Sequence, residues 1–292
     1  MLSDRIPYTA LVDRPRLTLP AGARVAVWVI LNVEHWSIAG PMPRTVLPPP
    51  MGQPLIPDVP NWSWHEYGMR AGFWRQHKAL SERDIPTTLA INGKVIESYP
   101  KVAQAALEEG WEFMGHGFVQ GPMHRLDDQE DAIAKTCRAI ADFTGRAPVS
   151  WESPGLTETD ETLDLLRKNG ILNVSDWVID DLPQDVETPH GVITTIPYTV
   201  EINDITVHAL QGHESPVFLD RGRDQFDRLY SEGAGNARVM AISIHPYITG
   251  VPHRIRYLEA LLDHIMEHEH VAWMTASGIG EWYRDQMANL TS

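Results

Sequence analysis

The sequence is short of cysteine, with only Cys137 in 292 residues. No internal disulfide and no cysteine-built zinc framework is therefore open to it. Cys137 falls in the apolar series Ile133, Cys137, Ile140, which predicts a buried helix thiol rather than a nucleophile. No stretch approaches the ~18–20 apolar residues of a spanning helix. Met1–Ala10 carries Asp4, Arg5 and Pro7 with no apolar run, so no signal peptide is expected. Basic residues are also few. Lys and Arg number 24 against 39 Asp and Glu, for a formal charge of −15 and a pI near 5.2. That balance argues against nucleic acid or an anionic membrane as partner. The expectation is a soluble, cytoplasmic protein.

What is present is a nearly unbroken alternation of strands and helices. Arg24–Glu34 is almost wholly apolar and β-branched, the pattern of a strand buried on both faces. Met69, Phe73, His77 and Leu80 follow at helical spacing, and Pro86–Ile91 reads as a strand. A helix starts at Ser98-Tyr99-Pro100 and stops at Gly110. Trp111–Gly115 is a strand, and Asp127 with Glu130 has capping-box spacing ahead of the Cys137 helix. Strand Pro148–Trp151 precedes a helix from Thr159 to Gly170. Further strands are expected at 171–174, 192–198, 205–210, 239–244 and 271–274, with an amphipathic helix through Ile255, Leu258, Leu262 and Ile265.

Seven or eight β/α steps imply a parallel sheet. No glycine-rich phosphate loop follows the first strand, which favours a distorted barrel over an open doubly wound sheet. Barrels of this class reach 292 residues as one domain. The chain is thus expected to be a single domain, 1–292, with an N-terminal extension 1–22. The segment 41–60 holds eight prolines in twenty residues and leads into Trp62, Trp64 and Tyr67. It is expected to be an ordered loop over the barrel mouth.

Groups just past the strand C-termini face the mouth of such a barrel. In this sequence they are Glu34 and His35, Asn92, His116, Trp151 and Glu152, Asp176 and Trp177, Tyr198 and Glu201, and His245. Glu34 ends a strongly apolar run, and His116 is flanked by Gly115 and Gly117, which permit close backbone approach. His124, His208 and His213 read as structural or surface groups, and the His264, His268, His270 cluster as a solvated helix face.

The order and spacing of these groups resemble the polysaccharide deacetylase (NodB-homology) family over roughly Arg24–Ile279. The carrying motifs are Glu34-His35, His116 with Gln120 and Leu126, Trp151-Glu152-Ser153-Pro154, the Asp176 turn and the late-strand His245. The resemblance implies a distorted (β/α)7 barrel and hydrolysis of an amide or ester. Gln120 stands where the family has its second histidine and Glu152 where it has arginine, so the metal triad is incomplete. These departures are similar to the branch of metal-independent allantoinases and cyclic imide hydrolases. That branch implies a small cyclic amide as substrate and a homo-oligomer.

The expected roles follow from what amide hydrolysis needs. Glu34 is the base, His245 the acid, and Glu152 an orienting or substrate-binding carboxyl. Trp151, Trp177, His35, Asn92 and Gln120 are expected to contact substrate. His116 and Glu34 would hold any metal, so the expectation is no required cofactor, or a weakly held divalent ion such as zinc. A metal-dependent carbohydrate deacetylase and a catalytically degenerate binding barrel are the alternatives.

Overall fold

The computed structural model describes residues 2–291. Among these, nine strands join one sheet in the order β6-β7-β5-β4-β3-β2-β1-β8, with β9 also on β1. The strands are β1 (Val25–Val33), β2 (Thr87–Ile91), β3 (Glu112–Gly115), β4 (Ser150–Trp151), β5 (Asn173–Val174), β6 (Gln184–Thr188), β7 (Gly191–Thr195), β8 (Arg238–Ile244) and β9 (Val271–Trp273). All pairings are parallel except β6 with β7. Seven parallel strands curl into the distorted (β/α)7 barrel. No full ladder joins β8 to β7. Single bonds span the gap instead, Ser243 N–H to Ile202 O and Val239 N–H to Asp181 O. Trp28 Nε1 to Pro197 O adds a third.

Strand β1 is the axis of the fold because it is buried on both faces throughout. Val25, Val27, Val29, Leu31 and Val33 pack outward among helix residues such as Phe73, Leu80, Phe226 and Leu262. Ala26, Trp28 and Ile30 point into the barrel. There they meet Leu17 and Leu19 of the N-terminal extension and Ile279, Trp282 and Tyr283 of the last helix. Residues 17–19 thus help close the floor, and Trp282 Nε1 donates to Thr18 O.

Several local expectations need correction. Residues 205–210 form a wide helical turn rather than a strand. Asn203 Oδ1 caps Ile205 N–H, and Val207 N–H returns to Asn203 O, so the alternating β-branched residues wind instead of extending. The cap of the Cys137 helix (Gln129–Thr144) is Asp128, which accepts from Asp131 N–H, rather than Asp127. The helix expected from Ser98-Tyr99-Pro100 to Gly110 is present as Pro100–Glu108, and a short unexpected turn, Val95–Ser98, precedes it, since the residue before Pro100 leaves helical geometry. Strand β6 is polar and gives no apolar signal in sequence.

Helix Val59–Tyr67 follows the proline-rich segment and runs through a wide turn, Gly68–Gly72, into helix Phe73–Ser81. That turn lies flush on residues 246–250, directly after His245 at the end of β8. A Cβ on Gly72 would overlap the backbone carbonyl of Pro246. Gly72→Ala is therefore expected to destabilise the fold by about 1–3 kcal/mol, because backbone must move to admit the methyl group. Urea denaturation with an unchanged midpoint would contradict this close approach.

Candidate active site

Glu34 leaves β1 at the mouth and is buried. Its Oε2 accepts from Trp36 Nε1 at 2.6 Å and from the Tyr247 hydroxyl at 3.4 Å, while Oε1 accepts from Gln120 Nε2 at 3.0 Å. An aromatic brace stands behind it. Trp36 stacks on His65 with centroids 4.6 Å apart, and Trp64 meets Tyr247 edge-on at 4.8 Å. His65 Nε2 bonds the Glu34 backbone carbonyl at 3.0 Å, and burial pushes that imidazole down to about 4.

A second relay fixes which end of the Gln120 amide faces Glu34. Asn92 Oδ1 accepts from His35 N–H at 2.8 Å, so Asn92 Nδ2 must donate, and it does so to the His116 carbonyl and to Gln120 Oε1 at 3.2 Å. With Oε1 so engaged, Gln120 turns its NH2 group to the carboxylate.

His245 ends β8. Its Nδ1 lies 2.7 Å from Asp204 Oδ1, and its backbone N–H donates to Asp204 Oδ2 at 2.7 Å. Thr249 Oγ1 donates to the same carboxylate at 2.6 Å. Asp204 accordingly fixes the Nδ1–H tautomer, leaving Nε2 as the working atom 3.7 Å from Glu34 Oε1. His116 is held the same way, Nδ1–H to the Glu152 carbonyl at 2.7 Å. Its Nε2 has no partner, and burial pushes the imidazole down to about 4, so it is a neutral acceptor.

Glu152 follows β4. Burial, then repulsion from nearby Asp176, raise its carboxyl well above the ordinary range. A donor chain runs into its Oε1 from Asn32 through Ser243 and the Tyr198 hydroxyl, the last step 3.3 Å. Its Oε2 has no partner among the described residues. Burial and Asp176 thus favour the uncharged form of Glu152, which can donate a hydrogen bond.

Glu34, His116, Gln120, Glu152, Tyr198 and His245 line one cavity of about 260 Å³. Arg44 joins them, carried in by the proline-rich segment. Among the described residues it is the one lining group with a permanent positive charge. Asn61 pins this segment, accepting from Val46 and Leu47 N–H and donating to Leu47 O. Leu156, Val200, Ile205 and Leu210 supply apolar wall.

Of the residues expected from sequence, the cavity gathers Glu34, His116, Gln120, Glu152, Tyr198 and His245. It does not gather the others. Trp151 lies in a separate core beside Ile133 and Val174, its Nε1 bonded to Ser153 Oγ. Trp177 packs on that same core and donates to Glu158. Asn92 is a bracket with both amide ends engaged inside the protein, and the His35 ring leans on Tyr99, 6.2 Å between centroids. Trp62 and Trp64 pack behind Glu34 with Trp36 and Tyr247, not across the cavity as a lid. Asp204, Arg44 and Tyr247 are the main groups that sequence reasoning missed. The only signal for Asp204 was a carboxylate shortly before a late strand, and Glu201 offered the same signal.

The donor set does not fit the three-ligand metal site that the family implies. Gln120 points N–H donors, not a lone pair, into the position of the missing histidine. His116 Nε2 and Glu34 remain, and Glu34 is already surrounded by donors. Among the described residues the one cluster of three ligating groups with metal spacing lies elsewhere, at Asp227, His264 and His268.

Comparison with known proteins agrees with the barrel fold. The polysaccharide deacetylase family profile matches residues 64–174, a span that includes His116 and Glu152. A peptidoglycan deacetylase of Helicobacter pylori is 24% identical over 244 residues, covering 72% of this chain and 83% of its own. The crystal structure of PuuE allantoinase superposes with a TM-score of 0.84 at 26% identity, covering 93% of this chain and 94% of that one. A probable polysaccharide deacetylase from Pseudomonas aeruginosa PAO1 gives 0.83 at 27%, covering 94% and 95%. A Schizosaccharomyces pombe protein assigned as a polysaccharide deacetylase is 31% identical over 239 residues, 75% of this chain and 74% of its own. On that extent of identity, joined to the shared barrel, the chain belongs to the polysaccharide deacetylase family.

Proposed function

We propose that this protein hydrolyses a C–N bond of a small cyclic amide, an imide or a ureide such as allantoin. The observation that carries the reading is the Gln120–Glu34 hydrogen bond, which puts an organic donor where a metal-dependent relative needs a ligand. Cavity size supports it. About 260 Å³ is at the low end for small-molecule sites and suits one planar ring.

The lining groups match the edges of a cyclic amide. Glu152 O–H and Arg44 can donate to its carbonyl oxygen, and the lone pair of His116 Nε2 can accept its ring N–H. Glu34 takes a proton from a water that it shares with His245, and that water attacks the carbonyl carbon. Arg44 and Glu152 stabilise the oxyanion. The proton taken by Glu34 passes to Nε2 of His245, 3.7 Å away and held by Asp204, and collapse breaks the C–N bond as His245 delivers that proton to the leaving nitrogen. Neutral Glu152 and cationic Arg44 together do the electrophilic work assigned elsewhere to a metal. A small-molecule substrate and a cytoplasmic setting belong to the same proposal. No helix among the described residues is long and apolar enough to cross a membrane.

A second reading, deacetylation of a carbohydrate, is favoured by one observation. The cavity shares Arg44, Gln120 and Gly155 with an outer depression of about 590 Å³, where more of a longer substrate could rest.

Three measurements test these assignments. Purified protein offered cyclic ureides, cyclic imides and N-acetylglucosamine oligomers is expected to open a ring and to leave the oligomers intact by chromatography. Deacetylation of the oligomers with no cyclic amide turned over would decide for the second reading.

Asp204→Asn is expected to lower kcat by roughly 10²–10⁴ at nearly unchanged KM, because the wrong imidazole tautomer would face Glu34. A variant with wild-type kcat would remove the Asp204–His245 pair from the mechanism.

Glu152→Gln keeps the shape but not the proton. Its kcat should fall by roughly 10²-fold or more, and its stability should follow a definite sign. A carboxyl with a raised folded-state value stabilises the protein fully below the unfolded value near 4.5 and loses that contribution as pH rises. The variant should therefore gain on wild type above pH 4.5, by at most about 1.4 kcal/mol per pH unit. Melting curves from pH 4 to 8 that run parallel would show an ordinary, solvated carboxyl.

A further inference from the structure

We infer that the protein carries a second, non-catalytic site for a transition-metal dication, zinc being the expected occupant, built from Asp227, His264 and His268. The three ligand atoms lie within 4.8 Å of one another and come from two packed segments. Asp227 is on helix Pro216–Glu232, His264 is on helix Ile255–Met266, and His268 lies just beyond that helix.

The geometry is more than two histidines on a wet helix face. His264 Nε2 already meets Asp227 Oδ1 at 2.8 Å. A metal would replace the proton shared by those atoms, the imidazole keeping its other proton on Nδ1. The His268 Nδ1–H donates to the His264 carbonyl at 2.9 Å, which leaves Nε2 as its lone-pair atom. Metal-ligating histidines commonly have their other nitrogen fixed in this way. Aromatic packing orients both rings. Phe226 stands edge-on to His268 at 4.9 Å and to His264 at 5.7 Å, and Tyr230 meets His268 at 5.2 Å. The Tyr230 hydroxyl then pins the same turn through Glu269 O at 2.8 Å. His270, the third member of the sequence cluster, departs with a φ of +60° and is not part of the set.

Two imidazoles, one carboxylate and a water suit tetrahedral zinc, and imidazole donors disfavour magnesium and calcium. The formal charge of −15 adds a general attraction for cations. The site is at the far end of the barrel from the candidate active site. The chain passes from His268 into β9, which pairs with Val25 at the start of β1, whereas Glu34 follows its end. A bound ion would cross-link the two helices and stabilise the fold without touching the catalytic groups.

The test uses full-length protein stripped with chelator, then titrated with zinc chloride at pH 7.5 by calorimetry and followed by thermal melting. One zinc per chain is expected with micromolar affinity, and the melting midpoint should rise by about 5 °C at a free zinc concentration ~100-fold above Kd. The double variant His264→Gln/His268→Gln should lose both effects. Asp227→Asn, at an exposed position where misfolding is not expected, should weaken binding about tenfold or more. Catalytic turnover should be the same in all three proteins. Failure of wild type to bind zinc below millimolar concentration would overturn the site. So would unchanged binding in the variants, which would place the ion at the barrel mouth instead.

Discussion

The site depends on a carboxylate buried at the end of the most apolar strand of the protein. Nine consecutive buried residues of β1 lead to Glu34, and the one amide among them, Asn32, is spent on Ser243 and Ile244. The surroundings must therefore supply donors, and they do so from three separate parts of the chain. Trp36 comes from the same loop, Gln120 from beyond β3 and Tyr247 from beyond β8, while the lone pair of His245 Nε2 lies 3.7 Å away. Each of these groups is itself locked. Trp36 and Tyr247 sit in an aromatic brace, Gln120 is turned by Asn92, and His245 is held by Asp204. A buried carboxyl group satisfied in this way is held rigidly in one place, whereas one donor removed leaves the remainder of the network committed to a wrong geometry.

A contrasting wall faces it. Glu152, Asp176 and Glu158 crowd together under burial, which raises all three carboxyls. The site thus holds two kinds of carboxyl group within one small cavity: Glu34 ringed by donors, and Glu152 with a donor on Oε1 alone. Separating such groups by environment is a general way for one fold to have a proton acceptor and a proton donor at the same pH. The strand-end arginine of the family would place a charge here. Glu152 stands there instead, its burial favouring the uncharged carboxyl, and the cation of the cavity is Arg44.

Much of this was legible in the sequence because barrel topology turns strand ends into a list of mouth residues. The apolar run into Glu34, the glycine-flanked His116 and the late-strand His245 all carried their signal locally. The misses have a common cause. Trp151 ends a strand and Glu152 follows it, but alternate residues on a strand point to opposite faces, and a two-residue strand gives too little pattern to assign them. Trp151 went to the outer core and Glu152 to the cavity. Asp204 was hidden because its neighbours alternate like a strand yet wind into a turn. Arg44 was hidden because a proline-rich loop has no periodicity from which to infer direction.

That loop changes what the aromatic residues mean. Composition alone suggested a tryptophan lid, with proline stiffness holding it shut. The structure uses the stiffness differently. Asn61 bonds the backbone at Val46 and Leu47, which fixes the short stretch from Arg44 onward, while Trp62 and Trp64 turn back to brace Trp36 and Tyr247. Prolines limit the freedom that the segment would lose on ordering, and what is ordered is one guanidinium. A charge delivered on a preorganised loop needs no reorganisation when an oxyanion forms, which is the condition under which electrostatic stabilisation is strongest. The barrel therefore sets Glu34 and His245 just past the ends of β1 and β8. What distinguishes this chain, the replacement of a metal position by Gln120, Glu152 and Arg44, comes from elements that the strand pattern does not specify.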